Sequence, residues 1–265
     1  EAYDAIRNML SNLDDPYTRF LDPREFNQMR IDTSGELTGV GIQIVKDKES
    51  DDLIIISPIE GTPAYEAGIK ARDKILSIDN ISTKGLNIED AVKLIRGQRG
   101  TKVKLEIFRN GNSFYKSLAR ERIEIKSVTS KINKTKDGFL IGYVRIIQFN
   151  ANASREMKNT VKDLEIKKVS GYVLDLRSNP GGLLESSIDI SRQFINKGII
   201  VSTLSKDGLR ETKRGNGNAL TKKPLIVLVN EGSASASEIV SGAIRDNNRG
   251  KLVGKKTFGK GLVQS

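Results

Sequence analysis

"KPLIVLVNEGSASASEIV", Lys223 to Val240, decides how the rest of the chain reads. Its first half is a short, unbroken apolar run, the mark of a buried strand. Gly232 permits a tight turn, and the second half reads as a helix that opens with small residues. A strand delivered straight into a helix start is the repeating unit of an α/β layer. It also places a hydroxyl where main-chain N–H groups point outward and the helix dipole favours negative charge. N-capping, for which serine is preferred, is the plain alternative. Capping would account for one serine, Ser233, but not for serines at every second position. Small residues at this point also suit close approach by another chain.

The same alternation continues on both sides. "GFLIGYVRIIQF" (Gly138–Phe149) is strand-like, "SREMKNTVKDLEI" (Ser154–Ile166) is an amphipathic helix, and "VSGYVLDLRSNPGG" (Val169–Gly182) is a buried strand running into a Pro-Gly-Gly turn. "LLESSIDISRQFI" predicts a helix, while "GIIVSTLS" and "GKLVG" predict strands. Upstream the pattern changes. "GVGIQIV", "DLIIISPI", "DKILSIDN" and "TKVKLEIFRNG" read as strands, the last ending in an Asn-Gly turn. "LNIEDAVKLIRG" carries Ile88, Ala91, Val92 and Ile95 on one helical face, with Gly97 as its expected cap. Residues 1 to about 35 read as helical, with a second helix starting at Pro23.

Composition narrows the chemistry. The 265 residues favour more than one domain, and no apolar run approaches the ~18 residues of a membrane span. There is no Cys, which excludes disulfides, a thiolate nucleophile and Cys-metal sites. There is no His, which excludes a Ser-His-Asp triad and a HExxH zinc site. The net charge of +11 suits an anionic partner such as nucleic acid or a lipid surface. The basic residues are spread, however, and stretches such as Lys131 to Lys136 lack interleaved aromatics. A solvated basic surface is the better reading: no nucleic-acid partner is expected, and association with a membrane surface stays open.

"GKKTFGKGLVQ", Gly254 to Gln264, nearly matches a phosphate-binding loop, but Gly261 stands where Ser or Thr must hold Mg²⁺. Without His, a serine nucleophile needs another base. A lysine can serve once burial or nearby positive potential brings its pKa from ~10.4 toward roughly 7–8. "TFGKGLV" supplies small and apolar neighbours with no adjacent carboxylate. An exposed loop lysine is the commoner fate of such a residue.

Two resemblances organise these pieces. "TGVGIQI" (Thr38–Ile44), "SPIEGTPAYEAGIKARDKILSIDN" (Ser57–Asn80) and "LIRGQRGT" (Leu94–Thr101) resemble a PDZ domain. That implies peptide binding by strand addition, with a terminal carboxylate meeting the N–H groups of Val40, Gly41 and Ile42. The incoming side chains would lie in an apolar groove beside Ile42 and Ile44. Glycines 39 and 41 let backbone approach an anion, and a tight turn is the competing explanation. Arg96 is a candidate link between the PDZ helix and the remainder of the chain, or a bland surface arginine.

"VNEGSASASEI", "DLRSNPGG" and "FGKGLVQ", with "LDDPYTRFLDPREF" near the start, resemble the carboxyl-terminal processing proteases, tail-specific serine peptidases with a Ser/Lys dyad and a PDZ domain. The resemblance covers nearly the whole chain. It implies a multidomain α/β (α+β) fold, with a crotonase/Clp-protease-like α/β catalytic core and an inserted PDZ domain. The expected parts are a helical segment over 1–36 packing on the catalytic part, a PDZ domain over 37–120, and a catalytic domain over 121–265 that is cut short at its C-terminus. It further implies Ser235 as nucleophile, Lys260 as base, Gln264 orienting the ammonium, and an oxyanion hole from the N–H groups of Gly181 and Ala236. Glu238 and Asp246 would stand behind the dyad, with helix capping or surface as the competing reading. No metal or cofactor is called for. Protein substrates with apolar or small C-terminal residues are implied, and so is an extracytoplasmic setting: periplasm, cell surface or thylakoid lumen. The alternative is a catalytically inactive PDZ scaffold. Glu1, without Met or leader, fits a removed signal peptide or a trimmed chain, and Gln264-Ser265 reads as the start of a further strand.

Overall fold

The computed structural model describes residues 2–13, 15, 18, 20–47, 49–205 and 207–262. The chain divides into two compact units, residues 36–125 and residues 1–35 with 126–265. Each has its own apolar core.

Two helices open the chain, α1 (Ala2–Ser11) and α2 (Pro23–Ser34). The start of α2 is set by sequence. Asp22 accepts from the Arg24 and Glu25 N–H groups, the Glu25 carboxylate accepts from Asp22 N–H, and Pro23 pre-sets the first turn. Gly35, at φ 71°, ends it in the left-handed conformation. The end of α2 is then fastened within its own unit, where Ala151 N–H donates to Thr33 O at 2.9 Å and Asn152 Nδ2 to Gly35 O at 3.3 Å.

Residues 36–125 contain β1 (Glu36–Gly39), β2 (Ile42–Lys46), β3 (Leu53–Pro58), α3 (Pro63–Glu66), β4 (Lys74–Ile78), β5 (Ile81–Ser82), α4 (Ile88–Ile95), β6 (Lys102–Arg109), β7 (Asn112–Ala119) and β8 (Glu121–Glu124). The sheet order is β2-β3-β4-β6-β7, with β5 on β4, while β1 pairs antiparallel with β8. The period-2 pattern of β6 is realised directly: Val103, Leu105 and Ile107 are buried, and Lys102 and Lys104 face out. The β1–β8 ladder, Glu36 opposite Glu124, makes this unit longer than the expected 37–120.

The expected cap at Gly97 is corrected. The helix α4 ends with Arg96 in an extended conformation, and the last carbonyls are taken by Arg120, whose Nε donates to Ile95 O at 2.9 Å and Nη2 to Leu94 O at 2.8 Å. Gly97 instead makes room, since a Cβ there would lie 2.8 Å from Arg120 Nε.

The second unit continues with β9 (Val128–Lys134), β10 (Leu140–Ile146), α5 (Ala153–Ile166), β11 (Gly171–Asp175), α6 (Leu184–Arg192), β12 (Ile199–Leu204), β13 (Arg210–Arg214), β14 (Leu225–Val229), α7 (Ala236–Asp246) and β15 (Lys251–Gly254). The sheet order is β15-β14-β11-β10-β9; β10, β11, β14 and β15 run parallel and β9 is antiparallel. β12 and β13 form a separate hairpin. Each parallel strand is added to the same side of the last, and right-handed crossovers place the connecting helices on one face. Val144, Leu174 and Val227 form one core there with Met157, Val161, Ile188, Val240 and Ile244 of the helices. The loops that follow β11, β14 and β15 therefore leave neighbouring carboxyl ends of the sheet, where open α/β sheets bind ligands.

Candidate active site

The loop after β11 is held from beneath. Asp175 is fully buried and accepts from the Tyr143 hydroxyl, from Arg177 N–H and from the Arg177 guanidinium. Burial pushes this carboxyl up, but Arg177 and Tyr143 outweigh it and bring the pKa to about 2. Buried Asn179 donates to Ile146 O at 2.8 Å, and its own carbonyl accepts from Ala234 N–H and Ser237 Oγ. The loop after β14 is thus clamped onto the loop after β11.

The serine alternation now separates into roles. Ser233 is buried and donates to Leu176 O at 2.8 Å; Ser237 is buried and donates to Asn179 O at 3.0 Å. Both bridge the two loops. Ser235 lies between them, half-buried, at the head of α7. The N-cap is therefore Ser235 and not Ser233. Its φ of 52° and ψ of −112° lie outside the regions an L-residue favours, the kind of local strain that collects at reactive turns.

Gly181 (φ 106°) lies against this turn. A Cβ there would come within 2.8 Å of Ala234 O and 3.0 Å of Ser235 Cβ and Ala236 N. The sequence-expected oxyanion pair, Gly181 and Ala236, is thus brought together beside Ser235. The Gly181 N–H donates at 2.8 Å to Asn179 Oδ1 in this structure.

The loop after β15 carries the lysine. At Gly254 (φ 134°) a Cβ would lie 1.9 Å from Val229 O, so only glycine lets β15 pass that close. Lys255 N–H donates to Val229 O and Phe258 N–H to Ser233 O. Gly259 N–H donates to Glu238 Oε1 at 2.7 Å, and Lys260 N–H to Glu238 Oε2 at 2.9 Å. The same Oε2 accepts Ser235 N–H at 2.8 Å. Burial raises the Glu238 pKa, yet hydrogen bonds from Thr257, Gly259, Ser235 and Lys260 leave it below the usual carboxylate range. Lys260 is half-buried.

Asp246 is not brought to this site. It is the last residue of α7, exposed, and pairs with Arg245 at 2.7 Å. Its helix-surface reading is the one that fits. Gln264 lies outside the described residues. Sequence reasoning missed as supports Asn179, Thr257 and Asn230, whose Oδ1 accepts from Ser178 N–H at 2.7 Å and Gly232 N–H at 3.1 Å. The Asn-Pro-Gly-Gly run announced a turn, but nothing local told that the Asn179 side chain reaches Ile146.

In the other unit, β2 is the terminal strand of its sheet, and among the described residues no strand pairs with its outer edge. Between it and α4 runs a groove lined by Val40, Ile42, Ile44, Val92, Ile95 and Arg96. The approach to β2 is fixed by Gly41 (φ 79°), where a Cβ would lie 2.2 Å from Thr62 Oγ1. Arg96 stands in the groove wall, and its burial pulls the guanidinium pKa down.

Residues 140–265 match peptidase family S41, and residues 54–109 match a PDZ domain. The carboxyl-terminal-processing protease of Synechocystis is 45% identical over 267 residues, spanning 100% of this chain and 62% of that protein. The carboxyl-terminal-processing peptidase 2, chloroplastic, of Arabidopsis thaliana is 40% identical over 275 residues, 100% of this chain and 53% of its own. The chain therefore spans little more than half the length of these curated relatives. The solved structure of a photosystem II D1 C-terminal processing protease is 36% identical, with a TM-score of 0.56, covering 99% of this chain and 72% of that one. By the shared sequence along its whole length and by the solved relative it matches, the chain belongs to peptidase family S41, among the carboxyl-terminal-processing proteases with a PDZ domain.

Proposed function

We propose that this protein is a serine endopeptidase that takes protein substrates by their C-terminal segments through residues 36–125 and cleaves them at Ser235. The observation that carries the reading is the division among the three serines. Two are buried and used up as ties between loops, and the third stands at a strained turn against Gly181, with the Lys260 loop anchored beside it.

Lys260, when neutral, takes the Ser235 hydroxyl proton as Oγ attacks the substrate carbonyl carbon. The oxyanion is met by the N–H groups of Ala236 and Gly181, each such donor being worth roughly 3 kcal/mol of barrier. For Gly181 this requires its N–H to turn from Asn179 Oδ1 to the substrate. The C–N bond then breaks, and the lysine ammonium gives its proton to the departing nitrogen. Water, deprotonated by Lys260, hydrolyses the ester and frees Ser235.

The apolar groove beside the free edge of β2 suits a terminal strand with apolar or small side chains. A setting outside the cytoplasm, such as the thylakoid lumen or periplasm, belongs to the same proposal; one relative is named as chloroplastic. No helix among the described residues is long and apolar enough to cross a membrane.

The test is cleavage of an unstructured polypeptide with an apolar C-terminus by the wild type, Ser235→Ala and Lys260→Ala, from about pH 6 to about 10. Loss of turnover in both variants is the expected result. Turnover surviving in Lys260→Ala would name another base. An inactive wild type that still binds the C-terminal peptide would favour a scaffold.

A further inference from the structure

We propose that Glu238 is the positioning residue of the dyad, holding nucleophile and base in register through both carboxylate oxygens, Oε2 joining Ser235 to Lys260 and Oε1 fixing Gly259 beside it. The inference rests on the Ser/Lys reading above. Ser235 and Lys260 sit on loops that leave different strands, β14 and β15, so the sheet ladder ends before either residue. Beyond it, Glu238 Oε2 accepts both main-chain N–H groups, at 2.8 Å and 2.9 Å. The two backbone nitrogens can be no farther apart than those two bonds laid end to end. Oε1 accepts Gly259 N–H, and the Thr257 side chain supplies a further hydrogen bond.

Helix capping alone does not explain this. A capping box needs only the bond to the N-cap residue, Ser235. The bonds to Gly259 and Lys260 come from chain far beyond α7 and add nothing to its first turn. The arrangement also takes Ser235 N–H away from the oxyanion, leaving that task to the next N–H, of Ala236. It further pins Ser235 in the unfavoured conformation that the site requires.

A carboxylate is chemically required. Donors converge on both oxygens, and a carboxylate offers acceptors only. Glutamine has the same shape, but one of its two terminal atoms is itself a donor, so it must face at least one N–H. A capping box accepts Glu or Gln alike. Glu238→Gln therefore separates a capping role from a positioning one.

The experiment uses the whole chain. For wild type, Glu238→Gln and Ser235→Ala it measures kcat and KM on an unstructured polypeptide, the thermal melt, and amide hydrogen exchange across residues 254–262. Under the proposal Glu238→Gln stays folded, kcat falls about 100-fold with KM nearly unchanged, and the Gly259 and Lys260 amides lose protection. A folded Glu238→Gln with wild-type kcat, or with those amides as protected as before, overturns it. If Glu238→Gln does not fold, Glu238→Asp decides: its shorter carboxylate loosens the two amides if Glu238 positions the loop and leaves them unchanged if it only caps. Exchange is read whether or not the chain cleaves anything. An inactive wild type thus sinks the protease reading alone, while the exchange result judges Glu238 separately.

Discussion

At the scale of the residue, chemically identical side chains have been given different work by burial. Ser233 and Ser237 are sealed and spend their hydroxyl protons on carbonyls of the neighbouring loop, while Ser235 is left half-buried at a strained turn. Two outcomes follow. Ser237→Ala removes a buried donor and leaves Asn179 O with one bond fewer, lowering stability by about 1 kcal/mol in a denaturant titration. Ser235→Ala abolishes turnover and lowers stability by about 1 kcal/mol in the same titration, the ordinary cost of replacing a serine N-cap, while both ties between the loops remain. The serines were legible as a group from their spacing. Which of them is the N-cap was not, because Ser233 reaches Leu176, a residue on another strand's exit.

At the scale of the element, α4 shows how an end is closed by a side chain distant in sequence. Arg120 is nearly buried and bonds the carbonyls of Leu94, Ile95 and Lys102. Arg120→Ala strips a charged donor from three carbonyls and destabilises residues 36–125 by about 2–3 kcal/mol. Hydrogen exchange checks this: amides of α4 and β6 lose protection, while those of β11 and β14, in the other core, keep theirs. The helix itself was plain in the periodicity of Ile88, Ala91, Val92 and Ile95, and β6 in its alternation. Gly97 was misread because a glycine after a helix is usually its cap, and only the fold reveals the guanidinium that needs the space. β9 escaped notice because, as an edge strand, it buries Val128 and exposes the rest.

At the scale of the whole molecule, acidic pH acts through carboxylates held in the folded state. Asp175 has its pKa lowered from 3.8 to about 2, against the push of burial, by Arg177 and Tyr143. Because the folded value is the lower one, this stabilisation is complete above the unfolded pKa and is lost as pH falls through about 4 to about 2. It amounts to roughly 2 kcal/mol. In Asp175→Asn the drop in stability between about pH 6 and about pH 2.5 is smaller by about 1.5 kcal/mol, the part of that stabilisation lost by then, read from denaturant midpoints. Glu238, also lowered, adds in the same direction.

Sequence by itself determined which chemistry was open. The absence of His and Cys ruled out a Ser-His-Asp triad and a thiolate and left Lys, Asp, Glu or Tyr to move protons; Ser235 and Lys260 were singled out by what the resemblance implied, in the runs "VNEGSASASEI" and "FGKGLVQ". Those are local properties, set by residue type and by periodicities of two and 3.6. Tertiary structure decided which segments meet. Parallel pairing of β11, β14 and β15 brings their carboxyl ends side by side, so residues far apart in the chain become neighbours. It also decided that Glu238 joins the turns of Ser235 and Lys260 while Asp246 stays at the far end of the same helix. A carboxylate's partners depend on which backbone N–H groups the fold leaves unpaired around it, and that is settled only when the strands have found their order.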